Sequence, residues 1–399
     1  MTPSGGDKPY RVYRGGRAKG GVPTLGREQR TRAAERDGRR EFRSDSKRDG
    51  GGPRRVEGRG GYRRWSWKRW LVIGVATLFT LSLVWGIASY FAFRSGVIDA
   101  NHRVSKSVKR TLAPQHGTLL SRSTNILLLG TDHSKHRSRA GDRHSDSIMI
   151  VHTDPDHQRI VYLSILRDLR VTVPGYGTQK INAAFQFGGA RLAIRTIKYV
   201  TGIRINHIVL VDFSQFKKLI DDLGGITIDV PAKIRSNKFD CPFKTQAQCD
   251  RWPGWRFAKG PQKMNGQRAL VYSRIRENLL NPRESDATRA ARQQQVIQAI
   301  SSKLTGFGTL LKMPFKGGDL MSPVATDLSA GQFIQLGWVK FRGHSMRCRL
   351  GGEADGTGYI VADEESRAVI QMVLGRSAAQ PPRPGSLYGS GCVNGKQNL

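Results

Sequence analysis

NILLLGTD, running from Asn125 to Asp132, decides how this chain folds. Its apolar residues come without a polar alternate, and Gly and Asp close the run. SIMIVHT (Ser147 to Thr153) and RIVYLSI (Arg159 to Ile165) repeat the pattern. Short continuous apolar runs between turn residues describe strands buried on both faces. Outward from these, Asn182 to Val200 carries apolar residues at helical spacing and stops at Gly202. HIVLVDF (His207 to Phe213) reads as a further strand, followed by a short helix to Leu223, and GGITIDVP (Gly224 to Pro231) as one more strand. Two later helices are predicted over Gly266 to Arg276 and Asp286 to Leu304. Strands alternating with helices predict an α/β fold, a three-layer α-β-α sandwich with a central mixed sheet. From Ala378 the chain is rich in Pro, Gly and Ser, which predicts a flexible tail over 377–399.

Ahead of the globular pattern stands WLVIGVATLFTLSLVWGIASYFAF, Trp70 to Phe93, without one charged residue. A bilayer-crossing helix needs about 20 apolar residues, so this run predicts one transmembrane helix over 70–93. Trp65, Trp67 and Trp70 stand at one end and Tyr90 near the other, as interfacial aromatics do. Arg63, Arg64, Lys68 and Arg69 crowd the N-terminal flank and predict a cytoplasmic N-terminus, with everything after Arg94 outside the membrane. The Gly-, Arg- and Ser-rich segment 1–69 has too little apolar surface to offset its ordering entropy and reads as a disordered basic tail. Residues 94–123 read as a polar, partly helical spacer and 124–376 as the folded domain. Of the formal charge of +35, Met1 to Arg69 hold +13 (21 Lys and Arg against 8 Asp and Glu), and +22 lies beyond. The excess after Arg69 calls for an anionic partner or surface and says nothing about fold. The four cysteines, Cys241, Cys249, Cys348 and Cys392, lack the paired close spacing of a zinc site. In an oxidising compartment a disulfide between Cys241 and Cys249 could staple the loop CPFKTQAQC, and Cys348 and Cys392 could pair likewise; spacing does not fix the connectivity, and four separate thiols are the alternative.

Charged residues gather where the predicted strands end. Asp132 follows the first strand and Asp146 opens the second. Two carboxylates at neighbouring strand ends suit a shared magnesium ion, a hard cation that prefers oxygen; Asp at a strand end is also ordinary turn chemistry. Arg167 and Asp168 close the third strand in SILRD, Arg274 and Arg276 lie two apart in YSRIRE, and Asp286, Arg289 and Arg292 follow on a predicted helix. Arginine's planar fork of donors matches phosphate oxygens, although each arginine taken singly reads as a solvated surface residue.

Taken in order, NILLLGTD, SDSIMIV, SILRD, KINAAF, LGGITIDV and MNGQRALVYSRIRE followed by D-x-x-R-x-x-RQQ resemble the LytR-CpsA-Psr phosphotransferases of bacterial envelopes, over about 125–304. The resemblance implies an enzyme that takes a glycopolymer from a polyprenyl-pyrophosphate carrier and joins it to peptidoglycan through a phosphodiester. It implies magnesium (or manganese) on Asp132 and Asp146, one of which also serves as general base. By the same resemblance Arg167, Arg274 and Arg276 hold the pyrophosphate together with Lys180, and Asp286, Arg289, Arg292 and Gln293 lie on the helix that closes the site. Two positions depart from the family pattern: His144, beside Arg143, stands where arginine is usual, and Leu166 replaces the proline of SIPRD. In the arginine's place His144 would donate to the pyrophosphate, with a charge that depends on pH.

Three other readings compete. A DNA-binding regulator would have to use the 1–69 tail, which holds no helix-turn-helix or zinc-finger pattern, so no nucleic-acid partner is expected. A membrane-anchored module could bind the lipid-linked polymer without turning it over, and a pyrophosphatase would use water as acceptor.

Overall fold

Trp67–His102 forms one helix of 36 residues, α1, about 54 Å long at 1.5 Å per residue. Among the described residues it is the one helix long and apolar enough to cross a membrane. The computed structural model describes residues 66–131, 145–281, 284 and 286–395, with the backbone alone at Asp146, Phe213, Ser214, Asp286 and Ala287. The tail expected over 1–69 lies almost wholly outside the described residues. The helix runs on past Phe93, where a spacer was expected, because tertiary contacts hold its last turns. Gly96, Val97 and Ala100 are buried, and Arg103 donates to the carbonyls of Met321 at 2.6 Å and Val324 at 2.9 Å.

Beyond α1 come α2 (Lys106–Lys109), β1 (Thr124–Thr131), β2 (Ser145–Asp154), β3 (Arg159–Ile165), the hairpin β4 (Arg170–Val173) and β5 (Gly177–Lys180), α3 (Ala183–Thr201), β6 (His207–Asp212), α4 (Phe213–Asp222), β7 (Ile226–Val230) and β8 (Ile234–Arg235). Then follow α5 (Gln246–Arg251), β9 (Arg256–Phe257), β10 (Gly260–Met264), α6 (Gly266–Arg274), α7 (Asp286–Leu304), α8 (Phe307–Lys316), β11 (Val324–Thr326), α9 (Ala330–Arg342), β12 (His344–Leu350), β13 (Glu353–Ala354), β14 (Ile360–Val361), α10 (Glu365–Val373) and β15 (Gly391–Asn394).

Seven strands make the central sheet, in the order β11-β6-β1-β2-β3-β12-β15. β1 runs parallel to β6 and β3 to β12, while β1–β2 and β2–β3 are antiparallel, so the sheet is mixed as expected. The unbroken apolar runs are explained by two covered faces. Leu127, Leu129, Val161, Leu163 and Ile165 point into a core shared with α3 and α10. Their neighbours Ile126, Met149, Ile160 and Tyr162 point the opposite way, against Ile297 of α7 and Phe333 and Leu336 of α9. Alternation of side chains along each strand thus feeds two layers of helices.

One expectation is borne out with a qualification and one is corrected. The strand expected at 224–231 forms as β7 but pairs with β10 alone, outside the central sheet. Its burial alternates, with Ile226, Ile228 and Val230 inside and the residues between them exposed, which suits a strand covered on one face. These residues belong to a second, smaller core with Phe257, Tyr272 and Val296. The tail expected to be loose from Ala378 instead returns to the sheet. β15 pairs with β12, Cys392 opposite Cys348, and a disulfide joins the two. The second disulfide, Cys241–Cys249, staples the polar loop.

Candidate functional site

One edge of the central sheet gathers the strand ends beside which several candidate residues lie in the sequence. β1, β3 and β6 end there and β2 begins there. Pairing runs Gly130↔Ser147 and then Thr131↔Ser145, so the backbone at Asp146 is passed over as a bulge. Bulges of this kind re-aim a strand end and are common beside active sites. The parallel register Thr131↔Asp212 brings the end of β6 to the same edge. Asp132 and His144 lie outside the described residues, as do the side chains of Asp146 and Asp286. Among the described residues there is no group of three or more His, Cys, Asp or Glu placed to hold a metal.

Arg167 stands two residues beyond β3, and its carbonyl accepts from Asn182 N–H at 3.2 Å. Its Nε donates to the Asp168 carboxylate at 3.3 Å, while Lys180 Nζ at the end of β5 reaches the other oxygen of that carboxylate at 3.1 Å. Asp168 therefore holds two of the predicted phosphate-binding cations side by side, and the Tyr359 ring lies 5.5 Å from Lys180 Nζ. Asp168 was visible in SILRD, but its role as the bridge was not.

Arg274 ends α6, where its guanidinium meets the Asp240 carboxylate at 2.5 Å. Arg276, two residues on, is exposed and sits at the start of the α6–α7 loop. That loop is built from inside. Asn278 is buried; its Nδ2 donates to the Lys233 carbonyl at 3.0 Å and to Glu284 at 2.6 Å, and its Oδ1 accepts from Arg235 N–H at 3.0 Å. Arg292, buried on α7, donates to the Ile275 carbonyl at 2.9 Å and pairs with Glu284. Burial pushes its guanidinium down to about 10. In this structure Arg292 thus faces inward and fixes the loop that carries Arg276. Arg289, one turn earlier, is also buried.

Two successive glutamines then seat α7 on everything else. Gln293 accepts from the Ser147 hydroxyl at 2.9 Å and donates to the Ser273 carbonyl at 3.5 Å, joining the residue after Asp146 to the residue before Arg274. Gln294, with no exposed surface, donates to Ser164 Oγ at 2.9 Å, the Cys348 carbonyl at 3.0 Å and the Tyr162 carbonyl at 3.2 Å. Sequence reasoning picked out Gln293 through its resemblance, included Gln294 in the same motif without a role, and missed Asp240, Asn278 and Glu284. Buried polar residues of this kind carry no periodic signal, since their partners are remote in the chain.

The chain has relatives among known proteins. The family described as LytR_cpsA_psr matches residues 90–347. Regulatory protein MsrR of Staphylococcus aureus is 32% identical over 215 residues, 53% of this chain and 59% of its own length. The polyisoprenyl-teichoic acid–peptidoglycan teichoic acid transferase TagV of Bacillus subtilis is 30% identical over 246 residues, covering 60% of this chain and 59% of TagV. TagU of Oceanobacillus iheyensis, named for the same transfer, is 27% identical over 337 residues, 80% of this chain and 97% of TagU. The chain thus spans little more than half the length of the first of these relatives. A solved structure described as TagT bound to LI-WTA shares the fold, with a TM-score of 0.50 at 24% identity over 68% of this chain and 98% of that one.

Proposed function

From a chain that belongs to the LytR_cpsA_psr family, we propose an envelope phosphotransferase that moves a glycopolymer from a polyprenyl-pyrophosphate carrier onto peptidoglycan. The observation that carries this reading is the seating of α7. Gln293 and Gln294 draw the bulge at Asp146, the end of β3 before Arg167, and the end of α6 at Arg274 to one edge of the sheet. Arg167 and Lys180 meet at Asp168 beyond the end of β3, Arg274 follows the Ser273 that Gln293 ties to the start of β2, and together with Arg276 two residues on they would supply the cationic donors for a pyrophosphate. Relatives named as teichoic acid transferases support the reaction class.

The chemistry is the following. A sugar hydroxyl of the wall attacks the phosphorus nearer the glycopolymer, the bond from that phosphorus to the bridging oxygen breaks, and polyprenyl phosphate departs. The hydroxyl proton passes to a carboxylate, Asp132 or Asp146. Arg167, Lys180, Arg274 and Arg276 hold the pyrophosphate and offset the charge growing on the leaving phosphate. Asp132 and Asp146 would hold a magnesium or manganese ion, which supplies further positive charge on the phosphate oxygens. Transfer of this type asks for position and charge stabilisation rather than a Ser or Cys nucleophile. α1 crosses the membrane with its N-terminus in the cytoplasm, following the basic residues on that flank, and the domain lies outside. Two disulfides suit that compartment.

The test is turnover of the full chain in proteoliposomes containing a polyprenyl pyrophosphate, with and without magnesium. Magnesium-dependent release of polyprenyl phosphate, lost in Asp132→Ala and reduced about 100-fold or more in Arg276→Ala, is expected. Adding peptidoglycan separates transfer from hydrolysis. Tight lipid binding without cleavage under any condition would leave a binding module.

A further inference from the structure

α8 wears its apolar face outward. Phe307, Leu310, Leu311 and Phe315 are 75%, 49%, 49% and 76% exposed, and their spacing places them along one side of the helix. The other side holds the helix to the domain: Thr309 is buried, and Met313 packs with Leu219, Leu223 and Leu320. A helix that faced water would show the reverse arrangement.

Its position relative to α1 is informative. The Phe315 ring meets the Trp85 ring edge-on, with centroids 5.6 Å apart. Just beyond α8, Gly318 lies so close to Gly96 that a Cβ on Gly96 would collide with the Gly318 carbonyl, and a Cβ on Gly317 would meet the backbone of Phe93. Trp85 stands eight residues before Phe93, the last residue of the uncharged run, so Phe315 lies level with a point about 12 Å inside the end of that run. α9 also touches α1, through Phe93 and Phe333, and leaves Ile334, Trp338 and Phe341 exposed.

The flank of α8 is basic. Lys303, Lys312 and Lys316 line a cavity of about 160 Å³, with Asp222 as the acidic member of the lining. The segment from Phe307 to Lys316 contains no Asp or Glu.

We propose that α8 is an interfacial helix, seated in the same bilayer that α1 spans, with its Phe and Leu face among the acyl chains and its lysines among anionic headgroups. This rests on the reading of α1 as a spanning helix. Interfacial helices bury their apolar face about 5–10 Å below the headgroup boundary, close to the depth at which Phe315 meets α1. The bilayer is the favoured occupant because the α8 face continues the exposed apolar surface of α1, and because an anionic surface complements the lysines. A helix held in this way would fix the height and tilt of the catalytic edge above the membrane, where a lipid-linked substrate must be met.

Depth-dependent quenching of the full chain tests the proposal. All four native cysteines are disulfide-bonded, so single cysteines introduced as L78C, Y199C, L311C and F315C can each carry an environment-sensitive fluorophore. The labelled proteins are reconstituted in vesicles of equal parts phosphatidylglycerol and phosphatidylcholine, then exposed to iodide or to lipids with doxyl groups on their acyl chains. Labels at positions 311 and 315 should respond to doxyl and lose their response to iodide, like 78 and unlike 199. Iodide quenching at 311 and 315, with 78 still quenched by doxyl, would overturn the proposal and leave α1 spanning. Failure of doxyl quenching at 78 would instead remove the premise, and the proposal with it. Protection of 311 and 315 from both quenchers would point to a protein partner and overturn the bilayer. In vesicles of phosphatidylcholine alone, doxyl quenching at 311 and 315 should weaken; equal quenching in both vesicle types would overturn the role of the lysines.

Discussion

Mild acid should weaken this domain through one of its buried histidines, His152. His152 lies on β2 with 3% of its surface exposed, directly opposite Asn125 of β1. Asn125 uses its Nδ2 to donate to the Arg204 carbonyl at 2.9 Å, which leaves Oδ1 facing the imidazole at 2.8 Å. The Nδ1 of His152 is therefore the donor, and the ring is held as the neutral Nδ1–H tautomer. Burial lowers its pKa from 6.5 to about 4, with Arg159 adding to the effect and Asp154 opposing it. Because the unfolded chain takes up a proton near 6.5 and the folded chain only near 4, acid favours unfolding across that window. Stability is complete above the unfolded value, falls as pH drops below it, and levels off below the folded value. The loss is about 2 kcal/mol between about pH 7.5 and about pH 5, approaching about 3 kcal/mol below pH 4. Urea pulse proteolysis of the full chain in detergent, run across that range for wild type and His152→Gln, isolates the contribution. Gln keeps a donor for Asn125 but cannot titrate, so the variant should lack this part of the pH dependence. Equal losses in the two proteins would refute the assignment of a neutral, depressed His152.

Other expectations follow from single contacts. Gln294→Leu removes a buried donor that serves Ser164, Cys348 and Tyr162, and should cost about 1–3 kcal/mol in the same proteolysis assay; turnover should fall with it if α7 orders the site. Asp168→Asn keeps the shape that bridges Arg167 and Lys180 but not the charge. It should lower kcat/KM by about 10- to 100-fold through misplacement of the two cations. Replacing both Cys348 and Cys392 by serine opens a linkage of sequence separation 44 and should cost about 4 kcal/mol on the loop-entropy estimate, read as a lower denaturation midpoint.

What the linear chain determined was whatever depends on local pattern. The uncharged run from Trp70 to Phe93 marks a membrane-length helix, because covering about 30 Å of hydrocarbon needs a run of that length. The unbroken apolar segments at 126–129, 148–151 and 160–163 mark strands covered on both faces, and the ordered motifs mark the family. GGITIDVP was legible as a strand, while its one wet face and its pairing outside the central sheet came with the tertiary structure. Tertiary structure alone decided the rest. β12 reads as polar through Arg347 and Arg349, and β15 follows a Pro- and Gly-rich stretch, yet both are buried once paired and joined by a disulfide. Arg167, Arg274 and Arg292 look alike in the sequence, but their surroundings separate them. Asp168 and Asp240 hold the first two near the sheet edge, and Glu284 with the Ile275 carbonyl turns the third inward. Each of those partners except the adjacent Asp168 is set by chain reversals that no local spacing encodes. A residue's role in the site depends on the charges and carbonyls folded against it, and only packing chooses them.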